Sequence, residues 1–167
     1  MISASSDVAA KLAIPPGDDV FRLRRLRFAD GQPMGLQTAY VAMANVPGIT
    51  EMSFTNASLY EVFESRYGLH PARAKETHVA VLVTADDAAL LRRSAGCPGF
   101  AAERITLDRG GRPIEYVTSV MRGDRYRIVL DLVKQGGGQW SVVSGQWSVV
   151  SGQWSVVSGQ WSMVSGQ

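Results

Sequence analysis

Apolar and polar positions interleave through the first 135 residues, and the spacing of the apolar ones changes from segment to segment. From Val20 to Ala29 they are mixed with four arginines at strand-like spacing. Asp30-Gly31 then marks a hairpin turn, so residues 34–42 are expected to return antiparallel. Ahead of this, Ser5-Ser6-Asp7 caps a short helix reaching about Leu12, which Pro15-Pro16-Gly17 ends. Ser58-Leu59-Tyr60-Glu61 is a capping box. It opens a helix whose Leu59, Val62, Phe63 and Tyr67 form an apolar stripe closed by Gly68. Residues 77–84 read as a strand with Val79, Val81 and Val83 on one face. Thr84-Ala85-Asp86-Asp87 starts a helix that runs to Gly96. Strands over 100–108, 113–121 and 126–133 follow, the first two joined by a hairpin at Gly110-Gly111. In both hairpins a proline stands at the start of the returning strand, where a missing N–H does least harm. The pattern predicts an α+β fold: a mainly antiparallel sheet with helices on one side.

The chain changes character at Gly136-Gly137-Gly138. From Gly138 the unit Gly-Gln-Trp-Ser-Val-Val-Ser recurs at Gly145, Gly152 and Gly159, with one change, Met163 for valine. The repeats hold all four tryptophans and no charged residue. A period of seven suggests a coiled coil, but glycine, serine and paired valines argue against helix. The unit is strand-prone, uncharged and free of proline, hence an aggregation liability if exposed. The division expected is one domain over 1–135 and a repeat tail over 136–167.

The net charge of +2 is too small to argue for nucleic-acid binding by charge alone. Fourteen of the 17 basic residues are arginine, which favours planar recognition of carboxylate or phosphate. Cys97 is the single cysteine, so neither a disulfide framework nor a cysteine metal site is available. With no leader and no long apolar run, a cytoplasmic protein without membrane contact is expected. No cofactor is expected either: phosphate-loop, dinucleotide, zinc-helix and nucleophile-elbow signatures are absent. His70 and His78 lack the neighbours of a metal site.

The chemistry concentrates on the arginine strand. Side chains alternate between faces, so Arg25 and Arg27 go with Phe21 and Leu23, whereas Arg22 and Arg24 go with Leu26 and Phe28. A guanidinium cannot shed its proton, so a pair near apolar surface needs an anion. Arg25 and Arg27 are candidates to grip an anionic ligand; pairing with Glu103 or Glu115 is the plainer alternative. Ser58 opens a helix and can present its hydroxyl and the free N–H groups to an anion, or serve as a simple N-cap, with Asn56 a competing cap. Glu115 can accept hydrogen bonds from ligand hydroxyls, act as a general acid, or stand as an ion-paired glutamate. Residues 122–126 read as a tight turn with a solvated or locally paired face.

In order and spacing, residues 20–33, Ala57-Ser58-Leu59-Tyr60, Tyr67-Gly68, residues 110–115 and Arg122-Gly123-Asp124-Arg125-Tyr126 together resemble the UTRA domain. This is the effector-binding half of GntR-type bacterial transcription regulators of the HutC subfamily. The resemblance implies a chorismate-lyase-like fold that binds a small anionic metabolite, phosphosugar-like or carboxylate, and acts as a homodimer. It implies that Arg25, Arg27 and Ser58 hold phosphate and that Glu115 contacts a sugar. Relatives often carry a glutamate on the second hairpin strand where this chain has Gln37, which replaces a carboxylate acceptor with a neutral amide. The family places a winged helix-turn-helix before this domain and usually one more sheet strand before the first helix. Both are expected to be missing, so DNA would be reached only through a domain outside this chain. The enzymatic alternative is a chorismate-lyase-like enzyme acting on an aromatic carboxylate, with Glu115 as the acid.

Overall fold

The computed structural model describes residues 1–54, 57–134, 140–149 and 152–156, with side chains through residue 129. Ile2–Ser3 forms β1, which pairs antiparallel with β2 (Asp19–Ala29), Ile2 opposite Val20 and Ser3 opposite Asp19. The edge strand expected to be missing is therefore present as two residues. It is too short to show a period of two, because Ala4 is already buried and Ser5 already caps α1 (Ser6–Leu12).

β3 (Gln32–Ala42) returns along β2 through the Asp30-Gly31 turn. Both turn residues have positive φ, 49° and 69°, the handedness that a two-residue hairpin loop needs. After two short helical turns over 43–51 comes α2 (Leu59–Tyr67), capped by Ser58 at one end and Gly68 at the other. Asn56 lies outside the described residues. β4 (Arg73–Leu82) starts four residues before the predicted strand and stops two short of its end. The regular ladder ends at Leu82; the Val83 N–H still donates to the Cys97 carbonyl, and Thr84 turns away to cap α3 (Ala85–Leu90). That helix ends well before Gly96. Arg92 turns left-handed at φ 55°, and the Arg93 N–H folds back onto the Ala88 carbonyl.

β5 (Pro98–Leu107) and β6 (Pro113–Arg122) complete an antiparallel sheet of six strands in the order β1-β2-β3-β6-β5-β4. Helices cover both of its faces, not one. On one face α1 packs on Val20 and Tyr116, and α3 packs against Leu36. On the other, Leu59, Val62 and Phe63 of α2 pack on Phe21, Ala39, Val41 and Val117. Neighbours such as Val20 and Phe21, or Tyr116 and Val117, are apolar on both sides, which marks a centre buried front and back.

β7 (Tyr126–Lys134) does not join this sheet. It pairs with β8 (Trp140–Val149), which pairs in turn with β9 (Gly152–Val156), Trp147 opposite Trp154, both strands drawn from the repeats. The glycine boundary at 136–138 lies outside the described residues. No described helix is long and apolar enough to cross a membrane.

Candidate anion-binding site

Strand alternation puts Arg25 and Arg27 on the α2 face, beyond the apolar floor of Phe21 and Leu23. Register sets Arg25 opposite Gln37 and Arg27 opposite Gly35. Gly35 lets the strands pack closely at that spot, since a Cβ there would come within 3.1 Å of the Val120 carbonyl oxygen. Arg27 donates twice to Gln37 Oε1, from Nη2 at 2.7 Å and Nε at 3.2 Å. Arg25 reaches the α2 N-terminus, with Nη1 at 3.4 Å from the Ala57 carbonyl. Next to it, Ser58 is exposed, and its Oγ accepts from the Glu61 N–H at 3.4 Å. Arg25, Arg27, Gln37 and Ser58 thus surround one stretch of sheet.

Glu115 lies deeper, 3% exposed. Its Oε2 accepts from the Tyr60 hydroxyl at 2.9 Å and from Thr106 Oγ1 at 3.1 Å, and lies 3.8 Å from Arg104 Nη2. Arg104 stacks over the Tyr60 ring at 6.0 Å. Its Nε is buried and has no hydrogen-bond partner among the described atoms. Glu76 is opposite Arg104 in the ladder. Burial raises the Glu76 carboxyl pKa, a shift Arg104 opposes and Glu115 reinforces. Burial, then the Glu115 charge, pushes the Tyr60 hydroxyl up to about 12, so it stays a donor at neutral pH.

Three guanidinium groups therefore converge on this face with two carboxylates. Burial works against the Arg104 charge, but Tyr60, Glu115 and Glu76 outweigh it and raise its pKa. The Arg27 pKa is lowered, first by loss of water around it and then by Arg25 and Arg104. Arg25 is lowered by burial, with Glu115 acting the other way. Neither arginine forms an ion pair among the described residues: Arg27 contacts a neutral amide and Arg25 a carbonyl. The acids named as alternative partners are engaged elsewhere, Glu103 with Lys11 at 2.7 Å on the opposite face and Glu115 in the Tyr60 network. An oxyanion added on this face would meet two guanidinium groups that lack an anionic partner.

The sequence reading missed Arg104, Thr106 and Tyr60 as site residues. The second hairpin held the signal for Thr106, which its register puts opposite Glu115, although a bulge between Thr106 and Leu107 blurs the count. His78 stacks on Tyr126 at 6.3 Å, with Nε2 3.6 Å from Glu76, and the described residues contain no metal-holding cluster. In the turn, the locally paired reading fits. Arg122 is buried, donating to Asp124 at 2.7 and 3.0 Å and to the Pro33 carbonyl at 3.1 Å.

This sheet, covered on both faces and carrying a cluster of arginines beside a helix N-terminus, is that of an α+β effector-binding domain. The UTRA domain model matches residues 1–127, and the chain belongs to that family. It is 34% identical over 124 residues to the HTH-type transcriptional repressor PhnF of Mycolicibacterium smegmatis, covering 74% of this chain and 50% of that protein. It is 27% identical over 131 residues to the HTH-type transcriptional regulator GgaR of Escherichia coli K12, covering 78% and 51%. Among solved structures it superposes on the effector domain of PhnF from Mycobacterium smegmatis with a TM-score of 0.70 and 33% identity, covering 74% of this chain and 76% of that one. A GntR-family transcriptional regulator from Enterococcus faecalis gives a TM-score of 0.71 and 27% identity, covering 77% and 92%. The chain spans about half the length of the curated relatives it matches.

Proposed function

We propose that residues 1–135 are the effector-sensing unit of a cytoplasmic, homodimeric GntR/HutC-type regulator. The unit binds a small anionic metabolite, phosphosugar-like or carboxylate, and its occupancy controls DNA binding by a winged-helix domain of the intact regulator. One observation carries the reading: Arg25 and Arg27 share a face and contact only neutral acceptors. An oxyanion there accepts from both guanidinium groups and from the N-terminus of α2, where Ser58 adds a hydroxyl. Gln37 must release part of Arg27 as the anion arrives and can then turn its amide to the ligand. Glu115 fixes the position of Tyr60 and Arg104 beside the polar end of the ligand. Binding ties β2 to the start of α2, and any difference in affinity between two arrangements of the protomers shifts their populations.

Two observations weigh against the lyase-like alternative. Glu115 is buried with Oε2 held by Tyr60 and Thr106, and the matched relatives are transcriptional regulators. The test is a thermal-shift panel of anionic metabolites on the full chain and on Arg25→Ala plus Arg27→Ala. A ligand at about a hundred times its dissociation constant adds roughly 2.7 kcal/mol, a shift of several degrees. A shift that survives in the double variant refutes the assignment, as does turnover of an aromatic carboxylate.

A further inference from the structure

The face of the sheet opposite the Arg25–Arg27 site carries two separate helix contacts. α1 packs at one end on Val20, Tyr40 and Tyr116, and α3 at the other on Leu26, Leu36 and Val120. Between them is a cavity of about 260 Å³ lined by Arg22, Arg24, Thr38, Tyr40, Asp87 and Thr118, with Leu36 at its apolar end. Register assembles the wall: Arg22 is opposite Tyr40, Arg24 opposite Thr38, and Thr38 opposite Thr118.

The charges lining it do not cancel. Arg24 Nη2 pairs with Asp87 Oδ1 at 3.0 Å, whereas Arg22 has neither a hydrogen bond nor an ion pair among the described residues. Lys11 and Glu103, on the same face, are closed on each other at 2.7 Å. One cation is left, beside three hydroxyl groups able to donate. The volume is below the roughly 300–1,000 Å³ of pockets for drug-sized ligands, so the occupant is small.

We infer that this cavity is a second binding site, taking one small oxyanion, carboxylate or phosphate, on Arg22 with the Thr38, Tyr40 and Thr118 hydroxyls. It is separated from the first site by the thickness of the sheet and does not depend on the function proposed for that site.

The test is an amide chemical-shift titration of the full chain with inorganic phosphate and, separately, succinate, into the millimolar range at constant ionic strength. The Asp87 and Ala88 amides report this cavity; the Ser58 and Leu59 amides report the other face. Saturable movement at Asp87 is expected with at least one probe, and which probe gives it separates phosphate from carboxylate. Arg22→Ala should weaken that movement about tenfold, the loss of one charge-assisted hydrogen bond. Arg25→Ala plus Arg27→Ala should leave it in place. Arg109→Ala, an exposed arginine in the turn between β5 and β6, controls for general charge, and Arg22→Gln substitutes if the alanine variant melts early. Stationary Asp87 amides, movement that survives loss of Arg22, or equal weakening by Arg109→Ala each overturn the inference.

Discussion

Replacing Glu115 by glutamine removes one charge from the centre of the polar network and leaves its shape almost unchanged. In the native protein Glu115 Oε2 accepts from Tyr60 at 2.9 Å and Thr106 at 3.1 Å, with Arg104 at 3.8 Å. Hydrogen bonds to a charged acceptor contribute about 1.5–3 kcal/mol each, against roughly 1 kcal/mol between neutral groups. Converting two of them to the neutral kind costs about 1–4 kcal/mol. Arg104 loses its near carboxylate too, but it is partly exposed and Glu76 remains opposite it, so this adds about 1 kcal/mol at most. The expected loss is therefore about 1–5 kcal/mol, a fall in Tm on the order of 5–20 °C for a domain of this size. Thermal and urea melts of the two proteins at neutral pH measure it. Tyr60→Phe alone should cost about 1.5–3 kcal/mol, and the double variant should lose less than the two single losses together, because both substitutions act on one shared bond. A Tm within a degree of wild type for Glu115→Gln, or strict additivity with Tyr60→Phe, refutes the network as drawn.

Gln37→Glu should give Arg27 an internal anion and weaken binding of an anionic effector by about tenfold or more, measured by calorimetry, with little loss of stability. Arg122 holds the Asp124 carboxyl below the ordinary aspartate value of 3.8. Its stabilising effect is therefore complete above that pH and is lost as pH falls through the lowered folded-state value; Asp124→Asn should flatten the acid limb of stability against pH. Gly99→Ala puts a Cβ 2.6 Å from Val83 Cγ2 and 2.7 Å from the Met121 carbonyl, so its melt should fall by several degrees, about 1–3 kcal/mol of overpacking. Leu82 is 74% exposed on β4, the edge strand, so Leu82→Lys should reduce concentration-dependent light scattering while leaving Tm nearly unchanged.

The strands and hairpins were legible because their signals are local. Asp30-Gly31 and Gly110-Gly111 fix two turns, and alternation along residues 20–29 correctly parts Arg25 and Arg27 from Arg22 and Arg24. The misplaced ends follow from tertiary contacts that no local pattern carries. Val83 continues the apolar alternation of β4 but is claimed by α3, and Arg92 stops that helix with a left-handed turn that only glycine would have signalled. Helix distribution over the two faces depended on how β2, β3 and β6 come together, which residue order within each strand leaves open. Of the site, the arginine pair could be read because charge inside an apolar strand is conspicuous. Arg104 and Tyr60 could not, since each looks ordinary until strand pairing brings both to Glu115.

The arginines of β2 are sorted by nothing except parity. Arg24 and Arg25 are consecutive, yet one faces α3 and the other α2, and a bulge between Arg27 and Phe28 lets the hairpin absorb an odd residue without disturbing them. An insertion or deletion of a single residue between Arg27 and the Asp30-Gly31 turn, if the bulge did not absorb it, would slide the strand by one step and exchange the two pairs across the sheet. Every arginine would survive by name while the chemistry of both faces changed over. In alignments of this family, length variation between the arginines of this strand and its hairpin turn should therefore track ligand class as closely as substitution does.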